Sequence, residues 1–158
     1  MTDPQLPEWP ADESSPFRRF EVSTRIGGGD EVWERASHDV LRWKVKTRSG
    51  FAVTNSESVT PGAQLIITAR AVGITVREPV QVVSVIATAS RVGFAYRTLP
   101  GHPVTGEEAF IVHREGEDVY LTIRSLTRPA PRQPWRALYP LLRVAQRVAR
   151  RRYLRALR

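Results

Sequence analysis

Apolar and polar residues alternate along most of this chain, and in two places the alternation gives way to a helical repeat. From Phe17 to Ile26, Phe20, Val22 and Thr24 fall on one side and Arg19, Glu21, Ser23 and Arg25 on the other, which predicts a half-buried strand. Gly27-Gly28-Gly29 ends it, and Asp30 stands where an N-cap is expected. The helix that follows reaches about Leu41, with Val32, Ala36 and Val40 on one face and Trp33 and Leu41 flanking it. After Trp43 the alternating period returns and predicts strands over 43–54, 62–71, 75–87, 91–98, 108–115 and 118–127. In the last of these, Val119, Leu121 and Ile123 oppose Tyr120, Thr122 and Arg124. Pro61-Gly62, Gly73, Ala89-Ser90 and Gly116-Glu117 predict tight turns, so consecutive strands form an antiparallel meander.

Residues 129–134 make a proline-stiffened bridge. From Trp135 the helical period resumes: Leu138, Leu142, Ala145, Ala149 and Tyr153 form a stripe that Trp135, Tyr139 and Leu157 widen. Pro140 predicts a kink in this helix or a later start. The element order is strand, helix, six strands, long helix. One apolar sheet face then needs a cover, and the terminal helix supplies it. The expected fold is α+β, a helix-grip with a seven-stranded curved antiparallel sheet wrapped on a long C-terminal helix and a cavity between them. Residues 1–16, rich in proline, acid and serine, read as a flexible lead-in, and residues 17–158 as one helix-grip domain.

The 158 residues, 41% of them hydrophobic, suit a single core. With no cysteine, disulfide scaffolds, thiol nucleophiles and cysteine-ligated zinc are excluded. No apolar run is long enough to span a bilayer and the N-terminus does not resemble a signal peptide, which predicts a cytoplasmic protein. The net charge of +8 is unevenly placed. Residues 1–127 hold fourteen basic and sixteen acidic side chains, whereas residues 128–158 hold ten arginines and no acid. Arginine suits phosphate and carboxylate recognition, although a GC-rich genome also favours it. Lys44 and Lys46 alone break the arginine pattern.

The stretch Phe94–Phe110, FAYRTLPGHPVTGEEAF, carries the candidate chemistry. Leu99–Gly106 is expected to be irregular, because Pro100 and Pro103 remove amide donors and Gly101 and Gly106 permit positive φ. His102 sits on this loop, Tyr96 on the incoming strand, and Glu107 and Glu108 on the return strand, one pointing to each face. A His, a Tyr and an inward carboxylate suit acid–base work, with His102, Glu107 and Glu108 as catalytic candidates. A structural account fits the same residues: an imidazole locking the turn onto a backbone carbonyl, and a buried Glu holding a loop amide or pairing with Arg97. His38 and His113 are expected at the surface. The triple glycine lacks the Lys-Ser/Thr of a phosphate loop, and no HExxH, carboxylate cluster or nucleophile elbow is present, so no metal or other cofactor is expected.

The run Gly93–Phe110, the Thr127–Ala130 segment after the last strand, the basic terminal helix and the early Leu41-Arg42-Trp43 resemble the uncharacterised family called domain of unknown function nineteen-ninety, over about residues 17–157. Arg97 stands where that pattern has a glycine. The resemblance implies kinship with START and birch-pollen-allergen helix-grip folds, which bind sterols, lipids, polyketides or hormones in their cavity.

Three functions follow as expectations. The favoured one is a binding module taking a small apolar molecule or lipid, with Tyr96, Arg97, His102, Glu107, Glu108, Arg128 and Trp43 as ligand-binding residues and Val119, Leu121, Ile123, Ala95 and Leu138 lining the cavity. The loop at His102 and the segment Arg128-Pro129-Ala130 would meet at its mouth, with Arg128 or Arg97 pairing to Glu107 or Glu108. The second is a cyclase, isomerase or hydrolase using His102 or a Glu as base. The third is an anionic membrane or a nucleic acid held by the arginines of the last helix. No aromatic platform lies among those arginines, which argues against nucleic acid. A solvated outer helix face explains them without any partner.

Overall fold

The computed structural model describes residues 1–55, 57–71, 74–131 and 134–158. The predicted turn at Gly73 and the Arg132-Gln133 step of the proline bridge lie outside the described residues. The elements are β1 (Arg18–Gly28), α1 (Asp30–Val40), α2 (Lys44–Thr47), β2 (Phe51–Val53), β3 (Gln64–Ala71), β4 (Ile74–Ala87), β5 (Arg91–Thr98), β6 (Val104–Glu115), β7 (Asp118–Pro129) and α3 (Trp135–Tyr153). The strands form one antiparallel sheet in the order β1-β7-β6-β5-β4-β3-β2, a meander closed by β1 returning to β7. This is the helix-grip architecture expected from the alternation.

The two faces follow the side-chain period of two. Val22 and Ile26 of β1, Val92, Phe94 and Tyr96 of β5, Phe110 and Val112 of β6, and Val119, Leu121 and Ile123 of β7 join α1 in the main core. From α1, Ala36 and Val40 are buried there with Val32, Trp33 and Leu41 packed beside them. Tyr153, Ala156 and Leu157 complete the core from the C-terminal end. Tyr153 is the one buried side chain of α3, so the helix is fixed by its last turn while its earlier turns stand off the sheet. The helix passes through Pro140 from Trp135 onward and does not start late.

Three local expectations are corrected. The segment 43–54 is not one strand. Trp43 takes a left-handed backbone (φ 58°), α2 follows, and only Phe51–Val53 pairs with β3. A four-residue helix is too short to display a helical period, and Trp43, Val45 and Thr47 imitate alternation. Gly29, not Asp30, is the N-cap of α1, and the Asp30 carboxylate accepts from Arg114 at 2.9 Å. Strand β6 starts at Val104, so only Leu99–Pro103 is loop. Residues 1–10 lie on the outer face of the sheet. There the buried Arg124 guanidinium donates to the carbonyls of Asp3, Leu6 and Pro7 and to Glu21, its cross-strand partner on β1. Trp9 is buried beneath Arg19, whose guanidinium lies 3.9 Å from the ring.

Gly106 is required where β6 approaches β7, since a Cβ there would lie 1.8 Å from the Leu126 carbonyl oxygen. At Gly93 a Cβ would lie 2.3 Å from the Phe110 carbonyl oxygen. Backbone cannot yield as a flexible side chain does. Gly106→Ala is therefore expected to lower unfolding free energy by about 2–3 kcal/mol, as overpacking does. Urea denaturation checks this, and an unchanged midpoint would show that the strands part at no cost.

Candidate functional site

The middle and last turns of α3 and the sheet flank a cavity of about 510 Å³ at the end where β4, β5 and β6 meet the His102 loop. Leu142, Ala145 and Ala149 of α3 with Ala69 and Val76 form apolar walls. The polar groups sit on α2, on the sheet and at the end of α3.

At the floor is Lys46, presented by α2 and almost fully buried. Its ammonium lies 2.9 Å from the Glu108 carboxylate and donates to the Tyr153 hydroxyl at 2.7 Å. The Tyr96 hydroxyl donates to the same carboxylate oxygen. The rings of Tyr153, Phe51, Tyr96 and Phe110 surround the ammonium at 4.7, 4.9, 5.3 and 5.6 Å from their centroids, within cation–π range. Burial opposes the charge on Lys46, yet Glu108 and the two tyrosines hold its pKa well above the ordinary range. Burial likewise pushes Glu108 up, and the Lys46 ammonium with the Tyr96 hydrogen bond brings it below the usual carboxylate value. The Lys46 ammonium and the Glu108 carboxylate thus each favour the charged form of the other. Burial drives the pKa values of Tyr96 and Tyr153 well above the ordinary tyrosine range, so both keep their protons.

The second polar group is the His102 loop. Its Nδ1 accepts from the Val104 backbone amide at 3.0 Å, which places the proton of the neutral ring on Nε2. The imidazole thus locks the turn through an amide rather than the carbonyl expected. Nε2 lies 4.0 Å from Glu78, beyond hydrogen-bond reach. Burial, and next the Lys46 charge, lower the His102 pKa to about 4. Burial raises that of Glu78. Arg150 reaches the wall from α3, donating to Ser125 at 2.7 Å over the Phe20 ring.

Of the residues singled out in the sequence, Tyr96, His102, Glu107 and Glu108 border the cavity. Glu107 points mainly outward and accepts from the Thr2 amide at 2.6 Å. Three others are placed elsewhere. Arg97 faces outward and donates to Gln81 at 2.6 Å, because the pleat turns it away from Tyr96. Arg128 stacks on Phe17, 4.8 Å from its centroid, so neither arginine forms the expected pair with Glu107 or Glu108. Trp43 is fully buried behind the floor against Phe94 and Tyr96, and its indole N–H finds no acceptor among the described residues. The expected apolar lining is also corrected. Val119, Leu121 and Ile123 are consumed in the packed core, Ala95 lies on the other face with Ala109 and Ile111, and Leu138 is exposed. His38 is exposed as expected, while His113 is mostly covered, stacked on Tyr120 and bonded to Thr122 at 3.0 Å.

Sequence reasoning missed Lys46, Glu78, Tyr153 and Arg150 as cavity residues. A signal existed for the first: among 24 basic residues only 44 and 46 are lysine. A compact ammonium fits a closed aromatic surround that the broad guanidinium fork would not.

The architecture is a helix-grip fold with a polar-floored hollow between sheet and terminal helix. The family model described as Domain of unknown function (DUF1990) matches residues 5–156, and the chain belongs to that family. It is 31% identical to a UPF0548 protein of Deinococcus radiodurans, over 98% of this chain and 80% of that one. The fold is similar to that of Zhui aromatase/cyclase from a Streptomyces species, with TM-score 0.59, 18% identity, and 89% and 91% of the two chains covered. It is also similar to ginseng major latex-like protein 151 from Panax ginseng, with TM-score 0.51, 14% identity, and 87% and 99% covered.

Two predictions arise from the floor. Lys46→Ala leaves Glu108 unpaired in a buried site and is expected to cost about 3–5 kcal/mol, whereas Lys46→Met with Glu108→Gln is expected to recover most of it. Urea unfolding of the single and double variants tests the coupling. The His102 ring takes a proton near pH 6.5 when unfolded and only near about 4 when folded. Between those values the unfolded chain binds more protons, so stability falls as pH drops through that window. The parent is expected to lose about 2–3 kcal/mol more than His102→Asn between about pH 7 and 4.5, read from urea midpoints at each pH.

Proposed function

We propose that the domain binds a small, mostly apolar molecule carrying a hydrogen-bond acceptor such as a ketone or ester carbonyl. The observation that carries this reading is the cavity of about 510 Å³, apolar on its walls and polar at its floor. Its size falls in the range of small-molecule sites, roughly 300–1,000 Å³. The floor offers donors in place of acceptors. Tyr153 accepts from Lys46, and its own proton has no acceptor among the described residues. The His102 Nε2–H is likewise unengaged at hydrogen-bond distance. Glu108 is occupied by Lys46 and Tyr96. A carbonyl oxygen would satisfy these donors, while its hydrocarbon body would gain about 25 cal/mol for each Å² buried.

Catalysis of the cyclase, isomerase or hydrolase kind is the second reading, and one observation favours it: Glu78, its pKa raised by burial, stands beside His102 at the cavity wall. Against it, an imidazole with a pKa near 4 is a weak base at neutral pH, and Glu108 is held as the counter-ion of Lys46. Binding is therefore the conclusion preferred here. The polar end would lie near Tyr153 and His102, with Tyr96 and Glu108 positioning Lys46 behind them.

Titration with a fluorescent apolar dye, followed by displacement with ketone-bearing and purely hydrocarbon competitors, tests the reading. Ala149→Trp, filling the cavity from α3, is expected to abolish dye uptake without lowering the melting temperature. Tyr153→Phe is expected to weaken ketone competitors about tenfold, in line with about 1–1.5 kcal/mol for one hydrogen bond, and to leave hydrocarbons unaffected. Undiminished dye uptake by Ala149→Trp would overturn the assignment of the cavity.

A further inference from the structure

We infer that the solvent-facing side of α3, beside the cavity mouth, is a docking face for an anionic lipid bilayer. The inference goes beyond the ligand reading and does not rest on it. Helix α3 places Leu138, Leu141, Val144 and Val148 in solvent with 39, 66, 53 and 47% of their surface exposed. These are four of the seven large exposed hydrophobics among the described residues, and they lie on one helix within eleven positions. Their spacings of three, three and four residues keep them on one side of the helix. Core packing does not account for them, since Tyr153 alone is buried in α3.

Charge identifies the occupant. Arg143, Arg147 and Arg151 repeat at four-residue spacing and run beside the Val144–Val148 row. Residues 128–158 contain no acid to neutralise them. A second copy of this chain would set arginine against arginine. A nucleic acid would match the charge but would leave four aliphatic side chains in water, with no aromatic ring among them for stacking. An anionic bilayer meets both features, taking the aliphatic side chains below the headgroups and the arginines among the phosphates. Continuity with the cavity supports the same face. Val148 both lines the hollow and faces solvent, and Leu142, Ala145 and Ala149 continue the lining on the adjoining sector of the helix. A docked bilayer would thus lie against the opening, where an apolar molecule passes without crossing water.

Co-sedimentation of the full chain with vesicles tests this, using phosphatidylcholine alone and phosphatidylcholine mixed with phosphatidylglycerol, at low and at high salt. Binding is expected to the mixed vesicles only, weakening as salt rises. Leu141→Asp with Val144→Asp is expected to weaken it at least about tenfold, and Arg147→Glu with Arg151→Glu by about as much or more. All four positions are exposed, and circular dichroism verifies that the variants fold. Ala149→Trp is expected to bind vesicles like the parent, so docking and ligand uptake fail separately. Equal sedimentation of the aspartate variant and the parent would overturn the inference. So would equal binding to phosphatidylcholine alone, or salt-sensitive capture of duplex DNA that mixed vesicles do not displace.

Discussion

A lysine ammonium closed off from water is the constraint around which this domain is arranged. Isolating such a charge from solvent is costly unless a counter-ion and further hydrogen bonds replace its hydration. Here the replacements come from elements far apart in the chain: Glu108 from β6, Tyr153 from α3, Tyr96 from β5 and the Phe51 ring from β2. Meeting that demand fixes where α2 sits, where the last turn of α3 docks and which face of β6 turns inward. It also leaves a polar floor in the middle of an apolar hollow.

The outer face of the sheet solves a related problem differently. Arg124 is as deeply buried as Lys46, yet its guanidinium is met by Glu21 and by backbone carbonyls of residues 1–10. A planar fork suits several carbonyls spread along a loop, and a compact ammonium suits one carboxylate inside a ring of aromatics. The two sheet faces thus carry different cations, each matched to the shape of what covers it. The outer cover completes the sheet, whereas the inner one leaves room.

That room exists because α3 is anchored at one end. Tyr153, Ala156 and Leu157 join the core, while the preceding turns hold apolar side chains both over the cavity and out to solvent. A single amphipathic stripe read from the sequence therefore divides in space into a core contact, a cavity wall and an exposed band. The His102 loop closes the cavity wall from the sheet side, held by the bond from the Val104 amide to its imidazole.

Much of the framework is written in local pattern. The alternation in β4 to β7, the helical face of α1 and the turn residues determine the meander and its two faces, because side chains of period two have one way to bury themselves. The proline-glycine loop places His102 at a strand end, and adjacent positions on a strand send Glu107 and Glu108 to opposite faces. What remained for the tertiary structure to decide were the pairings. Lys46 and Glu108 are separated by dozens of residues, and nothing local to either announces the other. Alternation likewise could not separate side chains packed tightly, such as Leu121, from those facing a void, such as Ala149, since both are apolar. Nor could it reveal α2, whose four residues complete barely one turn. Local order follows from each segment's own periodicity, whereas a buried charge acquires its partner, and a cavity its walls, only when distant segments meet.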